Sequence, residues 1–280
     1  MHKHKIKQII VVSLTVVLVG VLMAQPIKGL IKKQEAEHTA QEQAGQPLVD
    51  LAAVSQVAKQ GLNASLSKQI SDLEDKLQDA KGEERLSLLR QLAGKWDDVN
   101  QNAPLGFVYE DIAKEEPSYS NWLKAGDAFS EAYSNIQDTT VASVLNRHAL
   151  EAYQAALALD ENSLDAKTGV GSAMVNGGGA PMAGIALLRE VVGKDPKNLK
   201  ANMQLGIFSM TSRQFDRAVD RFKTVIAIEP SPEAYFYLAS SYENIGMKKD
   251  AIAAYEKSKE LAADPSLSQF VDRKIEELSK

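Results

Sequence analysis

The sequence predicts an all-α array of antiparallel helix pairs, each stacked on the next, with one membrane-length helix and a polar tether ahead of it. Three observations predict it. A small residue recurs at Gly184, Ala218 and Ala251, in steps of 34 and 33 residues. A large residue follows four positions later at Leu188, Phe222 and Tyr255, and the same place is filled by Tyr109 and Tyr153 in two earlier segments. Far upstream, Ile9 to Met23 is an uncharged run rich in Val and Leu.

Residues 1–8 form a basic head with Lys3, Lys5 and Lys7. Residues 9–27 approach the roughly 20 apolar positions that cross a bilayer. Within Ile9 to Met23 only Ser13 and Thr15 are polar, whereas a buried soluble helix of that length usually carries a polar face. An uncleaved membrane anchor is the expectation. The alternative is a signal peptide cleaved near Ala24. The basic head favours a cytoplasmic N-terminus and a C-terminal body on the exported side, although Lys28, Lys32 and Lys33 follow the span and pull the other way. A single-pass protein of the bacterial inner membrane with a periplasmic body is therefore expected, and a cytoplasm-facing one is the inverted alternative.

Residues 28–48 are polar, lack apolar periodicity and read as the tether. Residues 49–85 hold N-terminal helices. "VDLAAVSQVAK" ends at Gly61, and the next segment places Leu66, Ile70, Leu73 and Leu77 on one stripe. The stripe is short for a coiled coil and suits a helix that covers the open end of the helix pairs after it. "NAS" at Asn63 to Ser65 also meets the N-glycosylation rule.

Residues 86–265 divide into about five helix pairs near Leu86–Ser118, Tyr119–Leu164, Asp165–Leu199, Leu199–Ser231 and Pro232–Pro265. The first puts Leu105 at the small position. The second is enlarged around "SNIQDTTVASVLNR", by an extended helix or an inserted loop. Residues 266–280 place Phe270, Val271, Ile275 and Leu278 on one face, as a C-terminal capping helix would.

This pattern resembles the tetratricopeptide repeat, in which small residues let two antiparallel helices approach and aromatics fill the gaps. One hairpin of this kind cannot bury its own apolar face, so stacking supplies the core. The resemblance implies a right-handed superhelix with a concave face built from the first helix of each pair. It places Lys200, Met203, Ile207 and Met210 of the fourth unit, and Glu233, Phe236, Ser240 and Glu243 of the fifth, on that face. These residues are the candidate partner-binding groove; the plainer alternative is that they touch the next unit. Methionines suit an adaptable groove. A subfamily that grips a peptide's C-terminal carboxylate uses Lys, Arg and Asn where this chain has Met203, Ile207, Phe236 and Ser240. That clamp is not expected here, and a more apolar segment is the expected ligand.

The chain has 280 residues and no cysteine, which excludes disulfides, thiolate metal sites and cysteine nucleophiles. Its net charge is −5, and the first 33 residues hold six Lys and no acid, which leaves −11 for the rest. That acidic body argues against nucleic-acid binding. No catalytic residue, metal or cofactor site is predicted. His148 reads as helix decoration. Gly177, Gly178 and Gly179 precede Ala180 and Pro181, without the Lys and Ser/Thr of a phosphate-binding loop. They read as a turn between two helices, some with positive φ, and as a pliable joint.

The function expected is a membrane-anchored protein–protein interaction scaffold or co-chaperone-like adaptor of the bacterial cell envelope. The alternatives are a client-binding assembly factor for secretion, cytochrome maturation or a surface complex, and a cytoplasm-facing adaptor. Its partners would be another protein or peptide segment, and the membrane through residues 9–27.

Overall fold

A computed structural model describes residues 49–177, 180–262 and 265–280. The expected head, membrane segment and tether lie outside the described residues, as do Gly178 and Gly179. Among the described residues no helix is long and apolar enough to cross a membrane.

The described chain is helical throughout. α1 (Leu51–Lys59) and α2 (Ala64–Asp79) precede five pairs. The pairs are α3 (Gly82–Asp97) with α4 (Asn102–Glu115), and α5 (Tyr119–Asn135) with α6 (Thr139–Leu159). Then come α7 (Leu164–Asn176) with α8 (Pro181–Lys194), α9 (Leu199–Thr211) with α10 (Phe215–Ile228), and α11 (Pro232–Asn244) with α12 (Lys248–Leu261). α13 (Pro265–Ser279) closes the chain. The last three pairs each combine 13 residues with 14, the origin of the near-constant step. The second pair has 17 and 21, so its surplus lies within both helices, most of it in α6.

Side-chain caps punctuate the repeats. The first helices of the second to fifth pairs begin after Ser118, Ser163, Asn198 and Ser231, whose side-chain oxygens accept from the N–H of Asn121, Ala166, Ala201 and Ala234 at 3.1, 3.0, 2.9 and 3.2 Å. Each satisfies an N–H that the helix cannot pair internally. Asn63 does the same for α2, accepting from Leu66 N at 2.9 Å, so the "NAS" asparagine serves the fold as a cap.

Small residues set the helix spacing within pairs. The Tyr153 ring sits between two glycines: a Cβ at Gly126 would stand 2.7 Å from it, and one at Gly169, on the next pair, would collide with it. A Cβ at Gly206 would stand 2.7 Å from Phe222. The close approach and the ring that fills the remaining gap are thus one packing solution, repeated.

Both ends of the stack are covered. Ile70 and Leu77 of the α2 stripe are buried against Leu86, Leu89, Leu92 and Trp96. α1 packs on α4 and brings Val54 to a cluster containing Phe107 and Phe129. Lys59 Nζ lies 2.6 Å from Glu74 Oε2, and Ser55 donates to the same carboxylate, tying α1 to α2. At the other end Val271 of α13 is fully buried against the α10–α12 cluster.

Candidate functional site

The first helices α5, α7, α9 and α11 lie side by side, and a groove of about 1050 Å³ runs along them from α3 to α11. Of the residues expected on this face, Lys200, Met203, Ile207 and Glu233 line it. Met203 and Ile207 are half-buried because they also touch the cluster of the next pair.

Met210, Phe236, Ser240 and Glu243 are not in the groove lining. Met210 packs on the C-terminal cluster. The Phe236 ring lies 5.7 Å from Tyr255 and 5.8 Å from Phe270 of α13. Glu243 accepts from the Tyr255 hydroxyl at 2.9 Å and from Lys274 of α13 at 3.0 Å, and Ser240 is within hydrogen-bonding reach of that hydroxyl. The physical reason is the capping helix, which meets the inner side of α11 and takes the place of a sixth pair.

The groove extends the other way. Asp165, Thr168 and Ser172 of α7 line it, and each stands 35 residues before Lys200, Met203 and Ile207. Stepping the fourth unit's positions back by one repeat would have found them. Tyr109, Lys124, Asp127 and Glu131 continue the lining into the first two pairs.

Carboxylates outnumber cations in the lining: Asp97, Asp127, Glu131, Asp165 and Glu233 face Lys124 and Lys200. Both lysines are engaged internally. Lys200 Nζ lies 3.2 Å from Asp127 Oδ1, which also accepts from the Tyr153 hydroxyl at 2.9 Å. Lys124 Nζ sits 5.5 Å from the centre of the Tyr109 ring. Burial, reinforced by Asp97, Asp127 and Glu233 respectively, pushes the hydroxyls of Tyr109, Tyr153 and Tyr237 above the usual phenol range. They remain protonated donors at neutral pH. The groove therefore offers aromatic and apolar surface between carboxylates, of which Asp127 alone has a lysine partner among the described residues.

His148 is more than helix decoration. It is wedged between Phe107 and Phe129, at ring separations of 4.9 and 5.1 Å, with Nδ1 3.0 Å from Glu110 Oε2 but outside hydrogen-bond alignment. Burial works to raise the Glu110 pKa, yet contacts with His148 and Lys114 hold it below the usual carboxylate range. Among the described residues no group of three His, Asp or Glu is placed to hold a metal ion.

No protein-family model and no curated protein matches the sequence. Solved structures do match in shape. A thermophilic TPR protein of Thermus thermophilus, TTC0263, is 19% identical, with 67% of this chain and 97% of that one covered and a TM-score of 0.54. PilW, described as a widely conserved type IV pilus biogenesis factor, is 20% identical over 69% and 85% of the two chains, again with a TM-score of 0.54. MamA is 21% identical over 60% and 93%, with a TM-score of 0.45. At these identities the likeness is one of fold, carried by the first two: the described chain is an all-α helical repeat array resembling tetratricopeptide solenoids.

Proposed function

We propose that this chain is a membrane-anchored protein-interaction scaffold of the bacterial cell envelope, not an enzyme and not a nucleic-acid binder. Residues 9–27 hold it in the inner membrane with the array on the periplasmic side, and the stack winds as a right-handed superhelix. The groove along the first helices receives an extended or helical segment of a client protein. Tethering keeps that client at high local concentration near the bilayer.

The observation that carries this reading is the groove itself, about 1050 Å³ in volume and lined from Asp97 on α3 to Tyr237 on α11. A groove crossing five pairs suits a chain segment better than a compact metabolite, since small-ligand sites enclose most of their occupant. Its carboxylates, with Lys124 and Lys200 already engaged, suit a client segment that carries basic residues among apolar ones.

Affinity capture of the full-length chain from detergent-extracted membranes tests the reading. The variant Glu131→Lys/Asp165→Lys inverts two groove charges and is expected to lose the client that the unaltered chain retains, with its helical circular dichroism and melting curve kept. Equal recovery by both would contradict the groove as the docking surface.

A further inference from the structure

A second cavity, of about 470 Å³, lies where α8, α9 and α10 meet, outside the groove. Ile185, Leu205 and Phe208 form its apolar part, the first two buried. Arg189, Arg217 and Arg221 form its charged part, against the single carboxylate of Asp220. In a body that is net acidic, this is a local reversal of sign.

Three arginines on the first two pairs are matched with carboxylates. Arg85 lies 3.3 Å from Asp111 and 3.4 Å from Glu115, and Arg90 and Arg147 contact Glu116 and Glu151. The cavity arginines are held differently. Arg221 Nη1 donates to Asn202 Oδ1 at 2.8 Å, and Arg217 Nη1 donates to Gln214 Oε1 at 2.6 Å. Both acceptors are neutral amides, so the guanidiniums are oriented without being neutralised. Asn202 is fully buried, and its own Nδ2 donates to the carbonyls of Pro196 and Asn198 at 3.0 and 2.8 Å. That fixes the amide and, through it, Arg221. Arg189 has no ion pair among the described residues; its neighbour Glu190 is already taken by Lys167 and Lys194 at 2.9 Å each. Burial first, and then the nearby Arg189 charge, lower the Arg221 pKa, and the Asp220 carboxylate offsets them only in part.

We propose that this cavity binds an organic phosphate monoester, its head held by Arg189, Arg217 and Arg221 and its apolar body against Ile185, Leu205 and Phe208. Three guanidiniums and one carboxylate leave a local charge near that needed to balance a monoester, which carries about −1.5 to −2 at pH 7. The planar guanidinium fork matches phosphate oxygens in pairs. The cavity volume falls in the range of small-ligand sites, about 300–1,000 Å³. The ester is a free small molecule or the phosphotyrosyl side chain of a partner, and these two sources share the same recognition chemistry.

Equilibrium dialysis of phenyl phosphate against the full-length chain in nonionic detergent tests this. Saturable binding at one site is expected, roughly tenfold tighter than for inorganic phosphate because the ring gains the apolar wall. Phenol should not bind. Arg189→Gln, an exposed position without an ion pair, should weaken binding roughly tenfold while the melting curve stays in place, and Arg189→Gln/Arg217→Gln should abolish it. A phosphotyrosyl peptide that binds tighter than phenyl phosphate identifies the side-chain source; one that binds no tighter identifies the free ester. Absence of saturable phenyl phosphate binding, or equal affinity in the double variant, would overturn the proposal. Neither outcome depends on the groove, because no cavity arginine lines it.

Discussion

The backbones of Gly171 on α7 and Gly184 on α8 are in contact: a Cβ added to Gly184 would stand 2.5 Å from the Gly171 carbonyl oxygen. The obstacle is backbone and cannot rotate away. Gly184→Ala should therefore open the third pair, although alanine favours a helix interior by about 0.5–1 kcal/mol over glycine. The net loss expected is about 1–3 kcal/mol, as for other overpacked sites. Urea denaturation of the full-length chain measures it, and an unchanged midpoint would disprove the close contact.

The first glycine of the triplet has a packing role. Gly177 has φ −86, an ordinary right-handed value, so its turn does not demand glycine. A Cβ there would instead collide with the Asn146 amide nitrogen, which donates to the Ala173 carbonyl at 2.9 Å from α6. Gly177→Ala should cost about 1 kcal/mol by displacing that buried hydrogen bond. With Asn146→Ala already present the same change should cost little. A double-mutant cycle without coupling would refute the contact.

Arg213 occupies a conformation that suits glycine. It has φ 59 in the turn between α9 and α10, where the next pair has Gly246 at φ 79. In both turns the hydrogen bonds are those of a glycine-type helix end, Gln214 N to Ser209 O at 2.7 Å and Met247 N to Tyr242 O at 3.0 Å. Arg213→Gly should raise stability by about 0.5–1 kcal/mol, relief of the left-handed strain outweighing the extra freedom of the unfolded chain. A lowered thermal midpoint would contradict this.

Acid should loosen the third pair through Glu190, which bridges Lys167 on α7 and Lys194 on α8. Hydrogen bonds to these lysines lower its pKa from 4.5 to about 2. A carboxylate with a depressed folded pKa binds fewer protons folded than unfolded. Its contribution is therefore complete above pH 4.5 and lost as pH falls toward 2. Glu190→Gln should flatten the stability profile across that window and leave its shape near neutrality unchanged. Identical acid limbs for the two proteins would refute the bridge.

The helix pairs were legible because their spacing rests on residue size: Gly184, Ala218 and Ala251 are each buried where two helices approach. The enlarged second unit was visible as length, but only the packing shows that α6 takes most of it. The groove was half legible. Lys200, Met203, Ile207 and Glu233 were found because the repeat register carries inner-face positions onto the fourth and fifth units, while Asp127, Asp165 and Thr168 look like any solvated helix surface. Phe236 was assigned to the groove because position within a repeat does not reveal that α13 covers the last one. The arginine cavity had no linear signal, since Arg189 comes from a different pair than Arg217 and Arg221.

Photo-crosslinking in living cells tests the groove most directly. A photoreactive residue at Lys124 or at Met203, in the groove but on α5 and α9, should capture the same client. At Met182, 69% exposed on α8 and away from the groove lining, it should capture none of that client. Capture of that client from Met182 but from neither Lys124 nor Met203 would contradict the account.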